Sequence, residues 1–276
     1  MRTGLRRIHF FEFHDQPWFP GPLRDAVTEM LEFLFGAAKL YASIAPRLRK
    51  ALEHSGARAV VDLCSGAGGP WMWMLRFLDG REDSLLRVYL TDKYPNAAAF
   101  GRVKNVSDSR ITYFPAPVDA TNIPAELTGF RTLFTSFHHF NPDEARAILQ
   151  DAVRNRQGIG VFEIAGRSPL TFFGVVLIPF LALLFAAAAR PFRWSRLLWS
   201  YLIPVVPLVL FFDGVVSCLR TYSVAQLGQL ARGLPASSYR WEAGCEKRGF
   251  MNFPVTYLIG YPCSAERDEL PINAVR

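Results

Sequence analysis

Val60-Val61-Asp62-Leu63-Cys64-Ser65-Gly66-Ala67-Gly68-Gly69 is the stretch whose reading decides the fold. A β-branched run ends in an acid, and a glycine-rich turn follows within four residues. Beyond it, Pro70-Trp71-Met72-Trp73-Met74-Leu75-Arg76-Phe77 reads as a helix with proline in its first turn, where the missing N–H costs nothing. Strand, glycine turn and helix together let a backbone approach a nucleotide-like ligand, because glycine has no Cβ in the way.

Working outward, the chain alternates. Strands are expected at 58–63, 86–91, 111–114, 131–137 and 160–164, with helices near 71–78, 95–105 and 145–154 between them. Asn141-Pro142-Asp143-Glu144 is a strong helix start, a cap residue followed by proline and an acid three places on. Before the first strand, apolar residues recur at helical spacing from Pro22 to about Glu53. After Asp213 a helix over 223–233 and strands over 239–246 and 254–261 complete the pattern, the last two close enough to pair as an antiparallel hairpin. Strands alternating with helices imply βαβ units, a parallel sheet and a doubly wound, Rossmann-like α/β fold.

Asp92 stands at the end of the second strand, about where a carboxylate accepts hydrogen bonds from a ribose at the switch point of such a sheet. A dinucleotide fingerprint wants a third small residue where this chain has Trp71, and the indole would crowd the pyrophosphate path. An acid inside the first strand, Asp62, followed by Gly66 and Gly68, suits a cationic ligand without phosphate.

On these residues the chain resembles the class I S-adenosylmethionine-dependent methyltransferases over about 57–165 and 220–262. Asp62-Leu63-Cys64-Ser65-Gly66-Ala67-Gly68 is similar to the family's first motif, with Cys64 where a glycine is commonest. That register expects a φ below zero at Cys64. The resemblance implies a seven-stranded, mostly parallel sheet ending in an antiparallel hairpin, with S-adenosylmethionine as cofactor. It further implies Asp92 on the ribose hydroxyls, Asp119 on the adenine amino group, and Gly66 and Gly68 against the methionine portion. For Asp119 a plain turn cap is an equal reading.

His138 and His139 follow the fourth strand, whose carboxyl end faces the ligand crevice, and either suits a general base. Lining the pocket or bonding the backbone is the bland alternative. Glu163 reads equally as a contact to acceptor or cofactor and as a salt bridge to Arg167. Glu12-Phe13-His14-Asp15-Gln16-Pro17-Trp18 reads as loosely packed surface rather than a lid.

The alternation breaks after the fifth strand. From Ser168 to Ala189, and again from Leu197 to Phe212, no residue is charged. As helices these runs would extend ~33 Å and ~24 Å at 1.5 Å per residue, against a bilayer core of about 30 Å. A membrane-type helical hairpin is expected over 168–217, since two buried core helices would need a partner surface that so small a domain can hardly supply. It reads as interfacial or re-entrant, with Arg190, Arg193 and Arg196 on anionic headgroups and Trp194 and Trp199 at the interface, and a crossing hairpin with an Arg-rich outer turn is the alternative. The division is then an N-terminal segment (1–56), a methyltransferase-like domain (57–167 and 218–263), the hairpin (168–217) and a tail (264–276).

Bulk properties agree. Half of the 276 residues are hydrophobic and the net charge is +7, carried by scattered arginine, which suits anionic lipid. No Lys/Arg-rich tail and no Asn-Pro-Pro-Tyr-type sequence after the fourth strand point to nucleic acid. The four cysteines form no Cys-x-x-Cys pair, so free, mostly buried thiols in a reducing compartment are expected and no metal centre. The N-terminus lacks the pattern of a secretory signal. The expectation is a membrane-associated methyltransferase, its catalytic domain cytoplasmic, acting on a lipophilic small molecule. A non-catalytic membrane adaptor with the same fold is the alternative, and a nicotinamide oxidoreductase comes third, opposed by Trp71 and the lack of a Tyr-x-x-x-Lys pair.

Overall fold

The computed structural model describes residues 6–78, 86–107, 109–234, 239–247 and 253–263. The tail assigned to 264–276 lies outside them, as do the first five residues. Strands β1 (Ala59–Leu63), β2 (Arg87–Leu90), β3 (Ile111–Tyr113), β4 (Phe130–Phe134) and β5 (Ile159–Glu163) are joined in parallel, and β6 (Tyr239–Lys247) and β7 (Pro254–Pro262) form the antiparallel hairpin. The sheet order is β3-β2-β1-β4-β5-β7-β6, with β7 antiparallel to β5. Chain direction across the sheet reverses between β1 and β4, so a crevice opens beyond their carboxyl ends.

Period two along β1 sends Val60 and Val61 to opposite faces, and both are fully buried. Val60 joins a core with α2 (Ala45–Ser55), α3 (Trp71–Leu78) and α4 (Ala97–Val106), through Leu48, Trp71 and Phe100. Val61 joins another with α5 (Pro142–Arg154) and α9 (Val224–Arg232), through Ile148 and Leu227. The expected start of α5 is a full capping box: Asn141 Oδ1 accepts from the Asp143 and Glu144 N–H groups, and Glu144 Oε2 accepts from Asn141 N.

The insertion differs from its reading. Its first helix, α6 (Pro169–Phe185), is 17 residues with Pro179 inside it, ~25 Å long at 1.5 Å per residue. The second run breaks at Pro204, as a proline without N–H dictates. A short α7 (Trp194–Leu197) precedes the break and α8 (Val205–Arg220) follows it, the two arms bent by 75°. Among the described residues no single helix is long and apolar enough to cross a membrane; the bent pair meets only a criterion of length and composition. Helices α6 and α8 pack on each other and on α1 (Gly21–Ala37), whose Val27 and Met30 share a third core with Ala182, Ala189, Val209 and Leu210. A partner surface for two apolar helices was not expected in so small a domain, and α1 supplies it.

The arginine turn is also corrected. Arg193 Nη2 and Arg196 Nη2 donate to the fully buried Glu29 of α1 at 2.9 and 2.5 Å, and Arg196 Nη1 donates to Ala189 O. These two charges are spent inside the protein, and only Arg190 of the three is exposed. Trp199 packs on the third core, while Trp194 is 78% exposed. The four cysteines are free, but only Cys218 is fully buried and Cys245 is exposed.

Candidate active site

The β1 turn is built around Asp62. Its carboxylate is buried and accepts from Thr132 Oγ1 at 2.6 Å and Ser65 Oγ at 2.7 Å, and burial pushes its pKa up to about 6. Both oxygens are engaged, and Asp62 is not in the cavity wall described below. It holds the turn from behind the cavity wall. Gly68 is likewise behind the wall: φ is +121°, and a Cβ there would lie 2.8 Å from Val103 Cγ2, so its smallness serves the packing of α4.

Cys64 has φ +55°, against the expected negative value. That departs from the register read for the motif, and since the left-handed region favours glycine, the cysteine is a strained occupant, at a cost of roughly 1–2 kcal/mol. Thr135, beyond the end of β4, is at φ +46°, rarer still for a β-branched residue. Strained residues thus stand at both strand ends that flank the crevice.

There a cavity of about 920 Å³ opens. One end is walled by Cys64 to Ala67, Asp92 and Asp119. Asp92, two residues past β2, accepts from Gly66 N and Tyr94 N, both at 2.8 Å, one on each oxygen. Each oxygen retains acceptor capacity toward the cavity. Asp119 accepts from Thr121 N and Oγ1 at 2.9 and 2.6 Å, the turn-cap role, and it also faces the cavity. Gly66, at φ +55°, presents backbone there.

The other end is polar, with an apolar roof. His138 and His139 sit in a short 3-10 turn (Phe137–His139) after β4 rather than at the tip of the strand itself. His138 is buried, and its Nδ1 lies 2.8 Å from Glu163 Oε2 while its N–H donates to Glu163 Oε1. A carboxylate oxygen accepts, so Nδ1 donates to Glu163 and Nε2 is the nitrogen turned away from it. Nε2 is buried, makes no hydrogen bond and stands 3.6 Å from Glu12 Oε1. Glu163 therefore orients His138; Arg167 bonds instead to the Thr221 carbonyl and Gln226. His139 Nδ1 lies 2.9 Å from Asp15 Oδ2 and 3.2 Å from Glu12 Oε2. Burial alone would lower its pKa, but those two carboxylates hold it well above the usual value. Of the two neighbours, His138 has the geometry of a base and His139 that of a cation.

Residues 12–16 are not loose surface, whereas Pro17 and Trp18 are exposed as expected. Glu12 is fully buried, and His14 Nδ1 contacts Asp213 Oδ2 of α8 at 2.7 Å. Glu32 of α1, absent from the sequence expectations, lines the cavity, and burial pushes it up to about 7. The period of α1 marked its apolar face but carried no sign of which acids face inward. The roof is Phe173, Leu177, Ile178 and Leu181 of α6 with Leu210 of α8.

Strand order, the reversed seventh strand and the turn after β1 together decide the architecture. It is the seven-stranded, mostly parallel architecture that the resemblance to the class I methyltransferases implied. Among solved structures the chain is similar to the mitomycin 7-O-methyltransferase MmcR (18% identity, TM-score 0.47, covering 83% of this chain and 57% of that one). It is also similar to a putative O-methyltransferase from Nostoc punctiforme (12%, 0.47, 82% and 58%). A third is NcsB1, an O-methyltransferase from neocarzinostatin biosynthesis solved with S-adenosylmethionine and 2-hydroxy-5-methyl naphthoic acid (16%, 0.43, 83% and 59%). The chain spans little more than half the length of these proteins. No protein-family model and no curated protein matches it.

Proposed function

We propose that the protein transfers the methyl group of S-adenosylmethionine to an apolar small molecule, with His138 as general base. The observation that carries this reading is the continuity of the cavity, which runs from the glycine turn, Asp92 and Asp119 to His138 and on to the α6 roof. The cofactor end fits an adenosyl sulfonium: two carboxylates face it, residues 64–70 hold no basic side chain for a phosphate, and Lys93 in the wall is paired with Asp119. Bound there, the cofactor supplies an electrophilic methyl group on a sulfonium. Asp92, with spare acceptor sites, holds ribose hydroxyls, and Asp119 faces the base. Asp62 keeps the turn in place from behind. At the acceptor end the protein positions the nucleophile and removes its proton. Glu163 holds His138 in the tautomer whose Nε2 takes that proton, the carboxylate–imidazole logic of hydrolytic triads.

An aliphatic and aromatic roof favours a lipophilic acceptor. The outer side of α6 exposes Val176, Phe180 and Leu184, the last 70% accessible, and a bilayer surface is the source of acceptor that such a face suits. Removing the whole insertion would destroy the third core, so the membrane contact is tested by Val176→Ser, Phe180→Ser and Leu184→Ser together. Flotation with anionic liposomes should fall; equal flotation removes the membrane part. For the activity, the protein is incubated with methyl-labelled S-adenosylmethionine and a total lipid extract. Label in an organic-soluble product supports transfer to a lipophilic acceptor. Label only in water-soluble products, or none, sinks it.

A further inference from the structure

We propose that Glu12, His14, Asp15 and His139 bind one divalent transition-metal ion in the cavity wall. One donor atom from each of the four lies within 4.8 Å of the other three. No spacing motif announces the group, since His139 and Asp15 are 124 residues apart in sequence.

The Arg220 guanidinium already pairs with Glu12 Oε1 at 3.4 Å and Asp15 Oδ2 at 3.0 Å, and three observations point to a further cation beside it. His14 Nδ1 is held at 2.7 Å by Asp213 Oδ2, and Asp213 in turn accepts from Phe13 N and His14 N. A carboxylate on one ring nitrogen that turns the other toward a shared centre is the outer arrangement metal-binding histidines use. The nitrogen so directed, His14 Nε2, stands 3.8 Å from both Glu12 Oε2 and Asp15 Oδ1. That is too long for a hydrogen bond, yet close to the separation of two donors that share a cation at bonds of about 2.0–2.2 Å. Finally, Glu12 Oε2 is fully buried and its 3.2 Å contact with His139 Nδ1 does not align as a hydrogen bond, so the oxygen keeps acceptor capacity for a cation.

Two imidazoles with two carboxylates suit zinc, iron or manganese rather than calcium. The same carboxylates raise the proton affinity of His14 and His139, so a metal would enter by displacing protons. His14, Asp15 and His139 border the cavity beside His138. Gripping an oxygen of the acceptor there is the use we infer, and that use rests on the methyl-transfer reading; the binding itself does not.

The test uses the full chain stripped with a chelator, desalted, and titrated separately with Zn²⁺ and Mn²⁺ by calorimetry, with metal content read by mass spectrometry. One equivalent is expected. His14→Ala and His139→Ala should each weaken binding at least about tenfold, and Asp213→Asn by about 10–100-fold. Should the variants not fold, pulsed EPR of the wild-type Mn²⁺ form reads imidazole nitrogen coupling directly. No saturable binding, no nitrogen coupling, or folded histidine variants that bind like wild type overturn the proposal. Protein that binds metal but not S-adenosylmethionine keeps this site and loses the transferase reading. The opposite result does the reverse.

Discussion

The two ends of the cavity are built in opposite ways. The cofactor end is mostly local: Asp62, Ser65, Gly66 and Asp92 come from one strand–turn–helix unit and the strand beside it, and their bonds to one another and to Thr91 span at most about thirty residues, Thr132 on Asp62 being the exception. The acceptor end is assembled from afar, as the 199-residue separation of His14 from Asp213 and the 164-residue separation of Glu29 from Arg193 make plain. Local geometry is shared by any chain that makes the same turn. Long-range geometry is peculiar to this chain, and the lesson is that the cofactor class is set by the first and the acceptor by the second.

The sharpest way to break that contrast is at the two histidines. His138→Ala should lower turnover about 10²–10⁴-fold with cofactor affinity unchanged, measured by single-turnover kinetics beside calorimetry. An equal loss of cofactor binding would mean the two ends are not separable. Glu29→Ala leaves Arg196 buried and unpaired, and should cost about 3–5 kcal/mol of stability in urea. A loss within 0.5 kcal/mol would show the insertion to be loosely attached to α1. Glu32 adds a pH signature. Its folded pKa, about 7, lies above its unfolded value, so the folded state holds the extra proton and stability falls as pH rises from about 4.5 to 7. Glu32→Gln should flatten that slope in thermal melts across the range; an unchanged slope assigns it elsewhere. The smallest effect is at the turn, where Cys64→Gly should raise stability by about 1 kcal/mol by relieving the left-handed strain. A loss instead would mean that the packing of the cysteine outweighs the strain.

The same division explains what the sequence disclosed. Strands, caps and the run of landmarks Gly66, Asp92 and Asp119 are written in neighbouring residues, so periodicity and turn chemistry found them. The roles within the motif were harder. Asp62 looks like a ligand contact until Thr132, seventy residues on, is seen to occupy it. The apolar runs of the insertion looked like membrane because hydropathy records only that a surface must be covered. It does not record that α1 covers part of it. Likewise Glu12, His14 and Asp15 carry no pattern, since their partners are His139, Asp213 and Arg220 from far along the chain.

Calorimetry with S-adenosylmethionine on the wild-type chain and on Asp92→Ala bears most directly on the whole. One cofactor bound by the wild type, with affinity weakened at least about tenfold in the variant, is the expected result. A wild type that does not bind, or a variant that binds equally well, would contradict it.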